Sequence, residues 1–289
     1  MIFRTEKGKG IFPQIKITGD TKVFGIVGNS LSHSLSPIFW NAAFKEMSMN
    51  CVYVPFRISL DGLEHAFHGL KAASIAGFNV TKPYKEAIFK FVDRFMLPAR
   101  EIGAVNTIRF DRLGKAVGAN TDASAVSSLL SEIDPGKKVL LLGAGGVAKT
   151  VLWSLCQNKI DMVYWANRTP NRFVVPFDFH STNVEIVEWR QNRLEKTLEE
   201  VSMVVNATSL GWEQEDDLPV LSRLNSRQIY IDMNYEMNSK LIGRAAKTGA
   251  KIIDGLEILI RQGIDAFKIL TGKNPPEKII RQSIMDYLK

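Results

Sequence analysis

The stretch Lys138-Val139-Leu140-Leu141-Leu142-Gly143-Ala144-Gly145-Gly146-Val147-Ala148-Lys149 reads as a buried strand, a glycine-rich turn and the start of a helix. Gly143, Gly145 and Ala148 fill the three small positions of the pattern G-x-G-x-x-G/A. The first permits a tight turn, the second lets the backbone approach a diphosphate, and the third allows close helix–strand packing. A helix opening there aims free N–H groups at phosphate oxygens. The stretch therefore predicts a nucleotide-binding βα unit, with Gly143, Ala144, Gly145, Gly146, Val147 and Ala148 as cofactor contacts. The competing reading is a glycine turn that only packs.

The end of the following strand discriminates the nucleotide. A carboxylate there would suit the ribose 2′-hydroxyl of NAD. Here Met162-Val163-Tyr164-Trp165-Ala166 runs into Asn167-Arg168-Thr169 and then Arg172. Guanidinium groups suit a 2′-phosphate by charge and by bidentate geometry. The expected cofactor is NADP(H), unless these arginines merely decorate a solvated loop.

Outward from this unit, apolar runs at Lys138–Leu142, Met162–Ala166, Val184–Val187, Met203–Val205, Ile229–Asp232 and Lys251–Ile253 alternate with helical stretches. Six strands in one series is the count of a doubly wound, Rossmann-type sheet. A separate series precedes it. Strands are expected at 23–28, 51–56 and 75–80, and helices at 37–47, 60–70 and 84–91. Alternation of this kind implies a mostly parallel sheet with crossover helices. The rhythm then breaks at a hairpin around Asp111-Arg112-Leu113-Gly114, followed by a helix at 123–133 and a turn at Asp134-Pro135-Gly136. Helices at 256–270 and 277–288 close the chain. The fold class is α/β, with an N-terminal α/β unit and a second, doubly wound unit.

The chain has 289 residues, 45% of them hydrophobic and 23% charged, which is globular composition and excludes a disordered, collagenous or disulfide-framework protein. The net charge of +7 suits anionic ligands. No basic stretch interleaves with aromatic residues, so no nucleic-acid partner is expected. No run approaches the roughly 18 apolar residues of a membrane span, and the N-terminal residues lack the apolar core of a signal peptide. A cytoplasmic protein with no membrane partner is the expectation. Cys51 and Cys156 lie in apolar runs and read as buried thiols rather than as a disulfide. No Cys/His spacing suggests a metal.

Several polar sets follow first-series strands: Asn29-Ser30-Leu31-Ser32-His33-Ser34-Leu35-Ser36-Pro37, Asn79-Val80-Thr81-Lys82-Pro83-Tyr84-Lys85, Asn106-Thr107 and Asn120-Thr121-Asp122. Loops after the C-termini of parallel strands gather at one sheet edge, where ligands bind. Hydroxyls, amides, one ammonium and one carboxylate suit a small polyhydroxy acid. Helix capping competes for Ser34, Ser36 and Thr81, turn chemistry for Asn106, and a solvated surface position for Lys85.

With these sets and Gly103-Ala104-Val105-Asn106-Thr107, Asn206-Ala207-Thr208-Ser209 and Asp254-Gly255-Leu256, the chain resembles the shikimate dehydrogenases from about Lys22 to the C-terminus. The resemblance implies NADPH-dependent, reversible reduction of 3-dehydroshikimate to shikimate, a step of aromatic amino-acid biosynthesis. It implies an arm at 1–21, a substrate domain of 22–122 and 255–289, and an NADP domain of 123–254. It makes Lys85 and Asp122 the catalytic pair. Ser34, Ser36, Thr81, Asn106, Tyr235 and Gln262 become substrate contacts, and Ala207, Thr208 and Gly255 join the cofactor contacts. No metal is implied, and the protein is expected as a monomer or homodimer.

Three residues depart from the family pattern. Ala123 replaces a usual Gly, Lys82 a usual apolar residue, and Trp212 a usual Met. If Lys82 faced the cleft, it would disfavour charge on Lys85. The alternatives are a quinate or dual quinate/shikimate dehydrogenase and, in a different class, a non-catalytic NADP-sensing protein. Retention of Lys85 and Asp122 argues against the latter.

Overall fold

The computed structural model describes residues 16–169, 173–211, 217–235 and 239–289. Its first sheet comprises β1 (Lys22–Gly28), β2 (Cys51–Arg57), β3 (Gly77–Val80), β4 (Arg94–Phe95), β5 (Thr107–Phe110) and β6 (Ala116–Ala119), in the order β2-β1-β3-β5-β6-β4. Only β5 runs against its neighbours, as the hairpin turn at 111–114 requires. The second sheet comprises β7 (Lys138–Leu142), β8 (Met162–Asn167), β9 (Asn183–Glu188), β10 (Met203–Asn206), β11 (Ile229–Asp232) and β12 (Lys251–Ile253). It is wholly parallel, in the order β12-β11-β10-β7-β8-β9.

Both sheets have a point where successive connections turn to opposite sides. In the first it lies between β1 and β3, and in the second between β7 and β10. Crevices open at such points, outside the carboxyl ends of the strands. The helices that leave them are α1 (Ser36–Glu46) and α3 (Tyr84–Ala87) in the first sheet, and α6 (Gly146–Gln157) in the second. Between the sheets runs α5 (Thr121–Glu132), whose N-terminus is capped by Asn120 accepting from the Ala123 amide at 3.1 Å.

The C-terminal helices α9 (Gly255–Thr271) and α10 (Glu277–Leu288) return to the first sheet. Ile260, Gly263 and Phe267 recur at helical spacing along α9. The Phe267 ring packs tilted against Trp40 at 4.8 Å between centroids, and Trp40 stacks on Tyr53 at 4.7 Å. Gly263 is what lets α9 close on α1, because a Cβ there would lie 2.6 Å from the Phe39 ring. Phe39 and Phe267 are fully buried, worth about 1.5–3 kcal/mol each. This packing fixes Gln262 on the same helix above the first sheet.

Some local expectations change. The helix expected over 84–91 is one α turn followed by a 3-10 turn at Ile88–Phe91. At three residues per turn, Ile88 and Phe91 eclipse and both reach the same core. The short elements β4 and α4 (Ala99–Ile102) were not expected, being too brief to show a period. Cys51 and Cys156 are buried free thiols, and burial pushes the Cys156 pKa up to about 11. Among the described residues, no helix is long and apolar enough to cross a membrane.

Candidate active site

The loop after β1 leads into α1, where Ser36 is buried and Ser34 half-buried. The N-cap of α1 is Leu35, with no side-chain cap hydrogen bond, so neither serine is spent on capping. The same holds for Thr81, because α3 begins after Pro83 without a side-chain cap. Ser36 instead lines the cleft, and the network beside it starts at the buried Tyr53 hydroxyl. That hydroxyl donates to Asn79 Oδ1 at 2.8 Å, and Asn79 Nδ2 donates to Thr107 Oγ1 at 2.9 Å. Asn106 Oδ1 then accepts from Thr107 Oγ1 at 3.0 Å and from the Thr121 amide at 2.9 Å. This buried chain of polar groups locks the ends of β2, β3 and β5 to the start of α5. Fully satisfied networks of this kind rigidify their surroundings.

Lys85 on α3 donates to Asp122 Oδ2 at 2.7 Å, with side chains only 17% and 12% exposed. Asp122 lies in the first turn of α5, the end of a helix that favours negative charge. The pair is thus held from two independent elements. Lys85, Asp122, Ser34, Ser36, Thr81, Asn106, Tyr235 and Gln262 all line one cleft. Ile26, Val80, Met233, Ile258 and Leu259 form its apolar walls. Burial pushes the Tyr235 phenol above its ordinary pKa and keeps it a neutral donor.

The glycine turn stands beside this cleft. Gly143 adopts φ +108°, where other residues are strained, and a Cβ on it would lie 2.7 Å from the Ala207 carbonyl oxygen. Around Gly145, space for a Cβ is open to 4 Å, and α6 has no side-chain cap. Ala148 is fully buried against the second sheet. Free N–H groups, open space and a close-packed third position fit the diphosphate of a dinucleotide. Val147, on the first turn of α6, and Gly255, at the start of α9, both reach the cleft that holds Lys85. The two halves therefore face one common space.

At the end of β8, Asn167 Nδ2 donates to the Thr169 carbonyl at 2.8 Å, which shapes the loop and leaves Arg168 and Thr169 exposed. Arg172 and Trp212 lie outside the described residues. Past β10, Asn206 Oδ1 accepts from the Thr208 amide at 3.1 Å and its hydroxyl at 2.6 Å. Asn206 Nδ2 in turn donates to the buried Asp232 carboxylate at 3.2 Å. Asp232 also accepts from Tyr230 and Asn234, and the Asn234 carbonyl accepts from the Gly255 amide at 3.1 Å. Desolvation still raises the Asp232 pKa from its ordinary value.

Sequence reasoning gave Asp232, Asn79, Tyr53 and Thr121 no individual role, although Asn79 and Thr121 lie in the polar sets quoted above. Tyr53 and Asp232 show only a polar side chain within, or at the end of, an apolar strand. Ala123, the first departure from the family pattern, is fully buried against Ile102 and Ala104, so its methyl is accommodated. Lys82 is exposed and does not line the cleft. Desolvation of its ammonium and, second, the Lys85 cation nevertheless lower the Lys82 pKa below the ordinary lysine value. Among the described residues, no group of three or more His, Cys, Asp or Glu could hold a metal ion.

Three family models match the chain: the shikimate dehydrogenase substrate-binding domain over residues 26–108, shikimate/quinate 5-dehydrogenase over 126–213, and the shikimate 5′-dehydrogenase C-terminal domain over 255–285. The shikimate dehydrogenase (NADP(+)) of Carboxydothermus hydrogenoformans is 38% identical over 280 residues, covering 93% of this chain and 99% of that protein. The solved shikimate dehydrogenase of Aquifex aeolicus is 35% identical with a TM-score of 0.84, over 93% of this chain and 99% of that one. That of Thermus thermophilus, in complex with NADP(H) and shikimate, is 28% identical with a TM-score of 0.79, over 92% and 99%. A lysine–aspartate cleft beside a dinucleotide turn, and similarity that runs through both sheets and the returning helices, have one common explanation: the chain belongs to the shikimate dehydrogenase family.

Proposed function

We propose that this protein catalyses the NADPH-dependent, reversible reduction of 3-dehydroshikimate to shikimate, in the cytoplasm, with Lys85 as proton donor. The observation that carries the reading is the 2.7 Å Lys85–Asp122 pair in a cleft shared by Ser34 and Ser36 on one side and Val147 on the other. In this reading residues 22–122 and 255–289 form the substrate domain and residues 123–254 the NADP domain; of the arm expected at 1–21, residues 1–15 lie outside the described residues. The assembly is a monomer or homodimer.

Ser34 and Ser36 donate hydroxyl hydrogen bonds to the substrate carboxylate. Thr81, Asn106, Tyr235 and Gln262 orient its ring hydroxyls, and the buried network behind Asn106 holds that amide rigid. NADP(H), held by residues 143–148, Asn167, Arg168, Thr169, Arg172, Ala207, Thr208 and Gly255, supplies the hydride when bound. Lys85 Nζ gives its proton to the carbonyl oxygen as that oxygen becomes an alcohol. Asp122 keeps the ammonium aimed at the oxygen and stabilises its charge. In the reverse direction, neutral Lys85 takes the hydroxyl proton.

The test is reduction of NADP+ by the purified protein with shikimate and, separately, with quinate. Turnover with shikimate is expected; turnover with quinate alone would overturn the assignment. Relatives named for shikimate and NADP(+) do not favour the quinate alternative. A second expected result concerns the nucleotide. Arg168→Ala should weaken NADP+ binding much more than NAD+ binding, because only NADP+ carries the 2′-phosphate. Equal weakening, read from the two KM values, would remove Arg168 from that role.

A further inference from the structure

Glu86 follows Lys85 on α3 but turns toward the other half of the molecule. Its Oε2 accepts from Lys149 Nζ at 3.0 Å, and Lys149 stands one turn into α6. Its Oε1 lies 3.4 Å from where a Cβ on Gly146 would sit, so the carboxylate faces the opening residue of α6. The Lys149 side chain is 17% exposed and that of Glu86 47%. The first N–H groups of a helix have no acceptor within it, and that end attracts anions. The chain thus places an anion of its own beside the terminus that the proposed function gives to the cofactor.

We propose that Glu86 sets cofactor affinity: its carboxylate competes with the NADP(H) diphosphate for the first turn of α6 and for Lys149, so that cofactor entry breaks the Glu86–Lys149 pair. The inference rests on the reading that the glycine turn holds the diphosphate. A carboxylate and a diphosphate at one helix terminus repel each other. A single ammonium cannot pair closely with both, and the diphosphate carries the larger charge. The carboxylate is then left without its partner and beside a like charge, which lowers net affinity. This competition is electrostatic and partly exposed to water, so salt should screen it.

The test compares the wild type with Glu86→Gln, which keeps the shape of an exposed side chain, by calorimetric titration without substrate. One ligand is NADP+. The other is adenosine 2′-phosphate, which carries the 2′-phosphate but no diphosphate. The variant should bind NADP+ about 3- to 10-fold more tightly at low salt. The gain should shrink at about 0.5 M salt, and the Kd for adenosine 2′-phosphate should not move. Equal or weaker NADP+ binding by Glu86→Gln overturns the proposal and makes the pair a brace between α3 and α6. A gain that appears equally with adenosine 2′-phosphate also overturns it, because the diphosphate would then not be the competitor. Failure of the wild type to bind NADP+ would instead overturn the reading of the glycine turn.

Discussion

Lys85→Ala is expected to lower kcat by about 10²- to 10⁴-fold, the usual cost of a lost general acid–base. The proposed proton donor is this ammonium, which lines the cleft and whose 2.7 Å contact with Asp122 leaves it little freedom. Asp122→Asn keeps the shape at the start of α5 but removes the charge that orients the ammonium. It should also lower kcat, and by less, since Lys85 remains. In the proposed mechanism the two residues act as one unit, so their losses should not multiply. The double variant is expected to be little worse than Lys85→Ala alone. Full multiplication would mean separate roles, with Asp122 serving only as an acceptor for substrate hydroxyls. A Lys85→Ala enzyme with near-normal kcat, at saturating substrate and with chemistry rate-limiting, would remove Lys85 from the mechanism. Because the pair is partly buried, the melting temperature of each variant should be measured alongside, so that loss of turnover is not confused with loss of fold.

The parts legible in the sequence are those where local pattern and tertiary role coincide. β7 and β11 begin and end where their apolar runs do, because the inner strands of a wholly parallel sheet are buried on both faces. The glycine turn is legible because the strained φ of Gly143 and the burial of Ala148 each admit few residue types. The 3-10 turn at Ile88–Phe91 and the two-residue β4 are not legible, since tertiary packing decides them. Nor is the polar chain from Tyr53 through Asn79 and Asn106 to Thr121. Its members come from four separated segments, and none alone shows the network. The Glu86–Lys149 contact joins positions 63 apart and shows no pattern at either end. In the sequence, Ser34 and Ser36 fit capping as well as binding. The start of α1 separates the two readings, because no side chain caps it.

That separation gives the serine pair its expected effect. A hydroxyl that donates to a carboxylate makes a charge-assisted hydrogen bond of roughly 1.5–3 kcal/mol. Since about 1.4 kcal/mol is a factor of ten, Ser34→Ala and Ser36→Ala should each raise the shikimate KM by about 10- to 100-fold. The KM for NADP+ should not move, because neither serine belongs to the glycine turn. The two variants should nevertheless differ in kind. Ser34 is half-buried at the mouth of the loop after β1, and its loss should act on substrate binding alone. Ser36 is buried at the start of α1, so trimming it disturbs close-packed structure and should also lower the melting temperature, while Ser34→Ala leaves it near the wild-type value. An unchanged shikimate KM in both variants would return the serines to a structural role. A raised KM in Ser36→Ala alone would make the carboxylate anchor a single hydroxyl, with Ser34 outside it.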